Sequence, residues 1–199
     1  MDQLDKAIEK TRAYGRRYGV EYGSKQIKER LISNTYFDEK KVVVKLKKIK
    51  NIKLNDFGKI EKARELAELI GSYFSDILMI GITGSVAAGY PKEEDDIDLM
   101  IVTKKDSLWI TRLLLRLLIL IKRIPHRVYG KKENGNEFCF NLWLEEDVLE
   151  LPESRQNLKN AMDSILMIPI LDRGNIYSKF IKSNDWIKKY LRNTYEKIN

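Results

Sequence analysis

Two apolar runs joined by a Gly-Ser turn and an acidic linker, Ile77 to Val102 (ILMIGITGSVAAGYPKEEDDIDLMIV), constrain this chain more than any other stretch. Ile77 to Ile82 reads as a buried strand, Thr83-Gly84-Ser85 as a tight turn into a helix, and Ile97 to Val102 as a second strand that opens on Asp96 and Asp98. Side chains alternate along a strand, so Asp96 and Asp98 point to the same face. Two carboxylates that close repel unless a cation sits between them, and hard divalent ions such as Mg2+ prefer oxygen ligands. The pair therefore reads as a metal site. An unpaired charge in an apolar run is costly, which argues against a merely solubilising role for Asp98. The backbone N–H groups of Gly84 and Ser85 at a helix start, with the Ser85 hydroxyl, read as a cradle for a phosphate.

These residues carry a resemblance. Gly84-Ser85, ten intervening residues, then Asp96-Ile97-Asp98 resembles the signature of the polymerase-β-like nucleotidyltransferase superfamily. The resemblance implies a small mixed sheet with helices, triphosphate binding by the serine turn, Mg2+ or Mn2+ on the two aspartates, and a third carboxylate from a later strand. It implies an NTP substrate and transfer of a nucleoside monophosphate to an acceptor. The later strand is EFCFNLWL, Glu137 to Leu144, whose alternation puts Glu137, Cys139, Asn141 and Trp143 on one face. By position the third carboxylate is replaced by Asn141. Asparagine can offer a carbonyl oxygen to a cation, but it takes no proton and brings no charge. Two readings follow: a transferase with a weakened acceptor-activating half, or a nucleotide-binding, nucleic-acid-associated protein with little transfer. The chain also resembles a little-characterised archaeal and bacterial group with a winged-helix-like N-terminus, an FN-containing third strand and a helical tail.

Composition sets the frame for the rest. At 43 % hydrophobic, 199 residues can bury one sizeable core or two small ones. A single cysteine, Cys139, excludes an internal disulfide and reads as a small buried hydrophobe, and one histidine, His126, excludes a His-rich metal site. The charged start MDQLDKAIEK carries no signal-peptide pattern, so a reducing, cytoplasmic setting is expected. The net charge of +8 is N-terminal: residues 1–55 hold 15 Lys+Arg against 7 Asp+Glu, and residues 56–199 hold 22 of each. A basic segment beside a neutral one suggests a polyanionic partner such as RNA or DNA, or simply a solvated lysine-rich surface.

The chain divides on this reading into a winged-helix-like basic domain (1–55), a nucleotidyltransferase core (56–150) and a helical C-terminal extension (151–199), an α/β (α+β) arrangement. Helices are expected over Asp2 to Tyr18, from Ser24, and after the capping Asp38, with a strand fragment IKL behind them as a truncated wing. The third helix carries Lys40, Lys41, Lys45, Lys47 and Lys48, dense enough to neutralise several phosphates. Few side chains there suit bidentate base contacts, so base-specific readout is weak. A packing helix spans Asp56 to Ser75. Leu108 to Ile121 is apolar for 14 residues but interrupted by Thr111, Arg112 and Arg116, whereas a membrane span needs about 20; a helix lying on the sheet is expected. Arg112 and Arg116 either line a solvated stripe or reach the triphosphate. Pro125 to Asn136, with Lys131 and Lys132, is a basic loop that either covers a nucleotide or connects a hairpin. Asn184 and Trp186 read as a packing pair.

Overall fold

The protein is described by a computed structural model covering residues 1–52, 56, 58–128 and 135–198. The second half of the expected wing (IKL) and the lysines at 131 and 132 lie outside these described residues. The chain forms two compact units, one of Met1–Leu54, Leu151–Ile165 and Asn184–Asn199, the other of Asn55–Glu150 and Leu166–Ser183.

The first unit begins with α1 (Gln3–Arg17), α2 (Ser24–Glu29) and α3 (Glu39–Leu46). Asp2 and Asp5 cap the start of α1 reciprocally, each side chain accepting from the other's backbone N–H. Asp38 caps α3 by accepting from Lys41 N at 3.1 Å, as its sequence position implies. Ser24 is the first helical residue of α2 rather than its cap, a place taken by Gly23. Leu4, Ala7, Thr11 and Tyr14 bury one stripe of α1. Thr11 ties that stripe to the chain beyond α2: its hydroxyl donates to Ala7 O and accepts from Ile32 N at 2.9 Å.

The second unit is built on a four-stranded mixed sheet. After α4 (Lys59–Tyr73), β1 (Ile77–Ile82) runs into the five-residue α5 (Gly84–Ala88) and β2 (Ile97–Thr103); α6 (Leu108–Lys122) then leads to β3 (Phe138–Glu145). Of the remaining elements, α7 (Leu158–Leu166) and α9 (Lys188–Ile198, kinked at Leu191) lie mainly or wholly in the first unit, whereas β4 (Ile168–Asp172) and α8 (Ile176–Ser183) belong to the second. The sheet order is β3-β2-β1-β4, with β1 antiparallel to both β2 and β4 and β2 parallel to β3. What the sequence presents as one helical tail is therefore divided: its middle supplies an edge strand, and its ends join the N-terminal helices. In the first unit Ser33 bridges Leu191, donating to Tyr190 O at 2.7 Å and accepting from Arg192 N at 3.0 Å.

Core formation in the second unit follows β alternation. Ile80 and Ile82 of β1 and Ile97, Leu99 and Ile101 of β2 meet Ala63, Leu66, Ala67 and Ile70 of α4 and Leu115, Leu118 and Ile119 of α6. At the end of α4, the guanidinium of Arg173 donates to the carbonyls of Gly71 and Phe74, acceptors that a helix end leaves open, and to the carbonyl of Ile77 at the start of β1. The expected strand β3 is interrupted. Leu99 pairs with Phe140 but Met100 with Leu142, so Asn141 is an extra, bulged residue. The bulge reverses the alternation behind it, which corrects the expected shared face: Trp143 turns to the core side with Phe140, away from Cys139 and Asn141. Among the described residues no helix is long and apolar enough to cross a membrane.

Candidate functional site

Residues that alternate with Ile97 and Leu99 on β2 face away from α4 and α6, and Asp98 is one of them. Asp96, one residue before the strand, converges on it. One ligand atom each from Asp96, Asp98 and Cys139 lies within 4.8 Å of the others, and Cys139 is the parallel neighbour of Asp98 on β3. Asp96 is buried at 7 % exposure, and the other two are partly buried.

Each carboxylate has found a donor. Arg127 Nη1 donates to Asp96 Oδ2 at 2.8 Å, and the arginine is placed by its backbone N–H, which donates to Phe138 O at 3.1 Å. Asn141 Nδ2 donates to Asp98 Oδ1 at 3.1 Å from the bulge. The Cys139 thiol hydrogen-bonds to Asp98. Burial, then the negative charges of Asp98 and Asp96, push its pKa up to about 12. A thiol held protonated this way is no nucleophile at neutral pH.

Gly84 brings the turn against this cluster. Its φ of +65° lies in the left-handed region, and a Cβ there would run into Asp98 Oδ2. The approach is therefore open only to glycine. Thr83 N donates to Asp98 O at 2.9 Å, so turn and acidic strand are tied through backbone as well. Ser85 follows Gly84 in the first turn of α5 and is partly exposed.

A buried lysine holds the acidic linker. Lys59, at the start of α4 and 1 % exposed, points its ammonium at three carbonyls: Lys92 O and Glu93 O, both at 2.9 Å, and Asp95 O. Asp95 Oδ2 also accepts from Lys92 N at 3.0 Å, closing the turn. The loop leading into Asp96 is thus wrapped around a cation. Sequence reasoning treated this helix as packing and missed Lys59, although a lysine at a helix N-terminus, the wrong end for the macrodipole, was a signal. It also missed Arg127 and the place of Cys139.

The fold brings together Gly84, Asp96, Asp98 and Asn141, with Ser85 adjacent to Gly84. Arg112 and Arg116 stand elsewhere: α6 covers the sheet face opposite to the one Asp98 uses. Arg112 lies over the rings of Trp109 and Trp143, at 5.9 and 5.8 Å from their centroids. No ion pair of the described residues joins Arg112 or Arg116 to the aspartates. The third helix stops at Leu46, shorter than expected, so of its five lysines only Lys40, Lys41 and Lys45 are helical, with Lys47 at the C-cap and Lys48 in the turn beyond. Lys40, Lys41, Lys47 and Lys48 are exposed, whereas Lys45 is held by Asp5 at 2.6 Å and Asp2 at 3.0 Å. Asn184 and Trp186 are a packing pair as expected: Asn184 is fully buried, and its Oδ1 accepts from Trp186 Nε1 and Leu151 N.

No protein-family model and no curated protein matches the chain. Among solved structures it is similar to a "putative nucleotidyltransferase" from Sulfolobus solfataricus, at 21 % identity, with a TM-score of 0.32 and 46 % of this chain and 71 % of that chain covered.

Proposed function

We propose that the Gly84-Ser85 turn and the Asp96–Asp98 pair form the nucleotide and divalent-metal site of a nucleotidyltransferase, which moves a nucleoside monophosphate from an NTP to a hydroxyl or phosphate acceptor. The observation that carries this reading is the packing of Gly84 against Asp98, which puts the Gly-Ser turn beside a convergent pair of carboxylates. The donor set fits a cation, since two carboxylates stand a few ångströms apart and each now accepts from a neutral or cationic donor in its place. Asp96 and Asp98 would hold Mg2+ or Mn2+, with Asn141 able to offer its amide oxygen after a half-turn of the side chain. A metal bound there supplies Lewis-acid polarisation of the phosphates.

This chain's own residues do the rest. Gly84 and Ser85 present N–H groups and a hydroxyl to phosphate oxygens, and Lys59 keeps the acidic linker in one conformation so that both aspartates stay aligned. Phosphoryl transfer asks mainly for positioning and charge stabilisation, so an asparagine at position 141 lowers acceptor activation without removing nucleotide binding. Incubation with α-labelled NTPs, Mg2+ or Mn2+, and cellular RNA, DNA, protein and metabolites tests the reaction. Label transfer absent from an Asp96→Ala, Asp98→Ala control is expected. No transfer above that control, with Mn2+-dependent NTP binding retained, leaves the nucleotide-binding alternative.

A second reading concerns the N-terminal basic domain, 1–55, as a winged-helix-like nucleic-acid binder in a cytoplasmic protein. Four exposed lysines, Lys40 and Lys41 on α3 and Lys47 and Lys48 just past its end, with no carboxylate partner among the described residues, favour it. Lys45 is already neutralised by Asp2 and Asp5 and contributes least. Each phosphate these lysines neutralise steepens the dependence of log K on log salt by about 0.9.

A further inference from the structure

The apolar face of α6 is exposed, and it has the pattern of a helix-pairing seam. Seven large apolar side chains of α6 are open to solvent, from Leu114 at 44 % to Trp109 at 77 %. Ile110, Leu113, Leu117 and Leu120 recur at spacings of three, four and three, the a and d positions of two heptads, with Leu114 and Ile121 beside them. The opposite side of the same helix, through Leu115, Leu118 and Ile119, is already spent on the sheet. The exposed surface is on the order of several hundred Å², at or above the largest patch an ordinary monomer shows.

Charge says what covers it. The helix contains no acidic residue, and Arg116 flanks the seam at a g position with Arg123 one heptad later at the C-cap. Both arginines are exposed and have no carboxylate partner among the described residues. Flanking charges of this kind set partner choice in helix pairs. A second copy of α6 packed antiparallel would set g against g, arginine against arginine, and packed parallel would set Arg116 against an isoleucine at e, so neither arrangement gives the arginines a carboxylate. We infer that α6 is a docking surface for an amphipathic helix of another protein, one whose apolar a and d residues are flanked by Asp or Glu.

The test uses the full chain and a synthetic three-heptad peptide with Leu at a and d and Glu at e and g, a composition that resists pairing with itself. Calorimetric titration is expected to show one peptide per chain, with affinity that falls as salt rises. Leu113→Glu with Leu117→Glu should weaken binding at least tenfold, as should Arg116→Glu with Arg123→Glu; these positions are exposed, and unchanged circular dichroism checks the fold. A peptide with Lys in place of Glu should ignore the native chain and bind the Arg116→Glu, Arg123→Glu variant. Equal binding of both peptides, or of neither, overturns the inference. So does concentration-dependent dimerisation abolished by Leu117→Glu, which assigns the face to a second copy. Retention on phosphatidylglycerol vesicles without peptide binding, lost on Leu113→Glu with Leu117→Glu, assigns it to a lipid surface.

Discussion

Replacing Lys59 by methionine keeps the apolar stem and removes the ammonium, which isolates what that cation does. Its three acceptors, the carbonyls of Lys92, Glu93 and Asp95, lose their donor together. Hydrogen bonds to a charged group contribute about 1.5–3 kcal/mol each. Their sum is an upper bound, because the variant no longer buries an ammonium, at a cost of several kcal/mol, and because Lys92 and Glu93 are exposed and their carbonyls can turn to water. The net loss expected is about 2–4 kcal/mol. At a urea slope of about 2 kcal/mol per molar, that moves the unfolding midpoint down by about 1–2 M. The fluorescence transition is followed through Trp109 and Trp143, both in the unit that holds the loop. Because the loop sets the approach to Asp96, Mn2+ affinity measured on the folded variant should also fall at least tenfold. A midpoint shift under about 0.25 M, with Mn2+ affinity unchanged, would refute the idea that Lys59 organises the acidic linker.

Three further outcomes follow from the site. Gly84→Ala forces a left-handed alanine, at about 1–2 kcal/mol, and drives a methyl group into Asp98 Oδ2; Mn2+·NTP binding should be lost while the fold, read by circular dichroism, survives. Arg127→Ala leaves the buried Asp96 carboxylate without its ion-pair partner, so metal-free stability should drop by about 2–3 kcal/mol. Saturating Mn2+ should then raise the melting temperature of that variant more than that of the native chain, because the cation replaces the lost partner; an equal rise in both contradicts the exchange. Cys139, with a thiol pKa raised to about 12, should alkylate slowly at pH 8 in metal-free buffer and speed up as pH climbs toward that value. The sign also holds for stability: the folded state keeps the thiol protonated, so this contribution is full below the unfolded pKa near 9.0 and is lost as pH rises through about 12. Asp98→Asn removes a negative neighbour and should shift the alkylation profile to lower pH.

The sequence was most legible where one period dominated. The apolar runs of β1 and β2 fixed their strands to within a residue, and helical spacing picked out Leu4, Ala7, Thr11 and Tyr14 as the buried stripe of α1, although Tyr18, in line with them, is exposed. The strand β4 was hidden by Pro169, which reads as a breaker. It is tolerated because β4 is an edge strand and pairs on one side only, Pro169 opposite Gly81, beside a register shift. The bulge at Asn141 was invisible for a related reason: alternation has no local marker for an inserted residue, and only the pairing of Met100 with Leu142 shows it. Long-range partnerships were equally closed to sequence reading. The bridge from Ser33 to Leu191 and the arginine placed on Asp96 from the far side of α6 depend on the assembled units, not on any spacing. Of the candidate site, the spacing of Gly84, Ser85, Asp96 and Asp98 was readable. The residues that hold it in place, Lys59 and Arg127, were not.

The proposed function makes Asp96 and Asp98 the cation ligands of a nucleotide site closed by the Gly84-Ser85 turn. Electron paramagnetic resonance of Mn2+, titrated with the native chain and with Asp98→Asn in the presence of NTP, addresses it most directly. One strongly bound Mn2+ per native chain is expected, with affinity enhanced by NTP and at least a tenfold loss in Asp98→Asn. Equal Mn2+·NTP binding by the two proteins would contradict it.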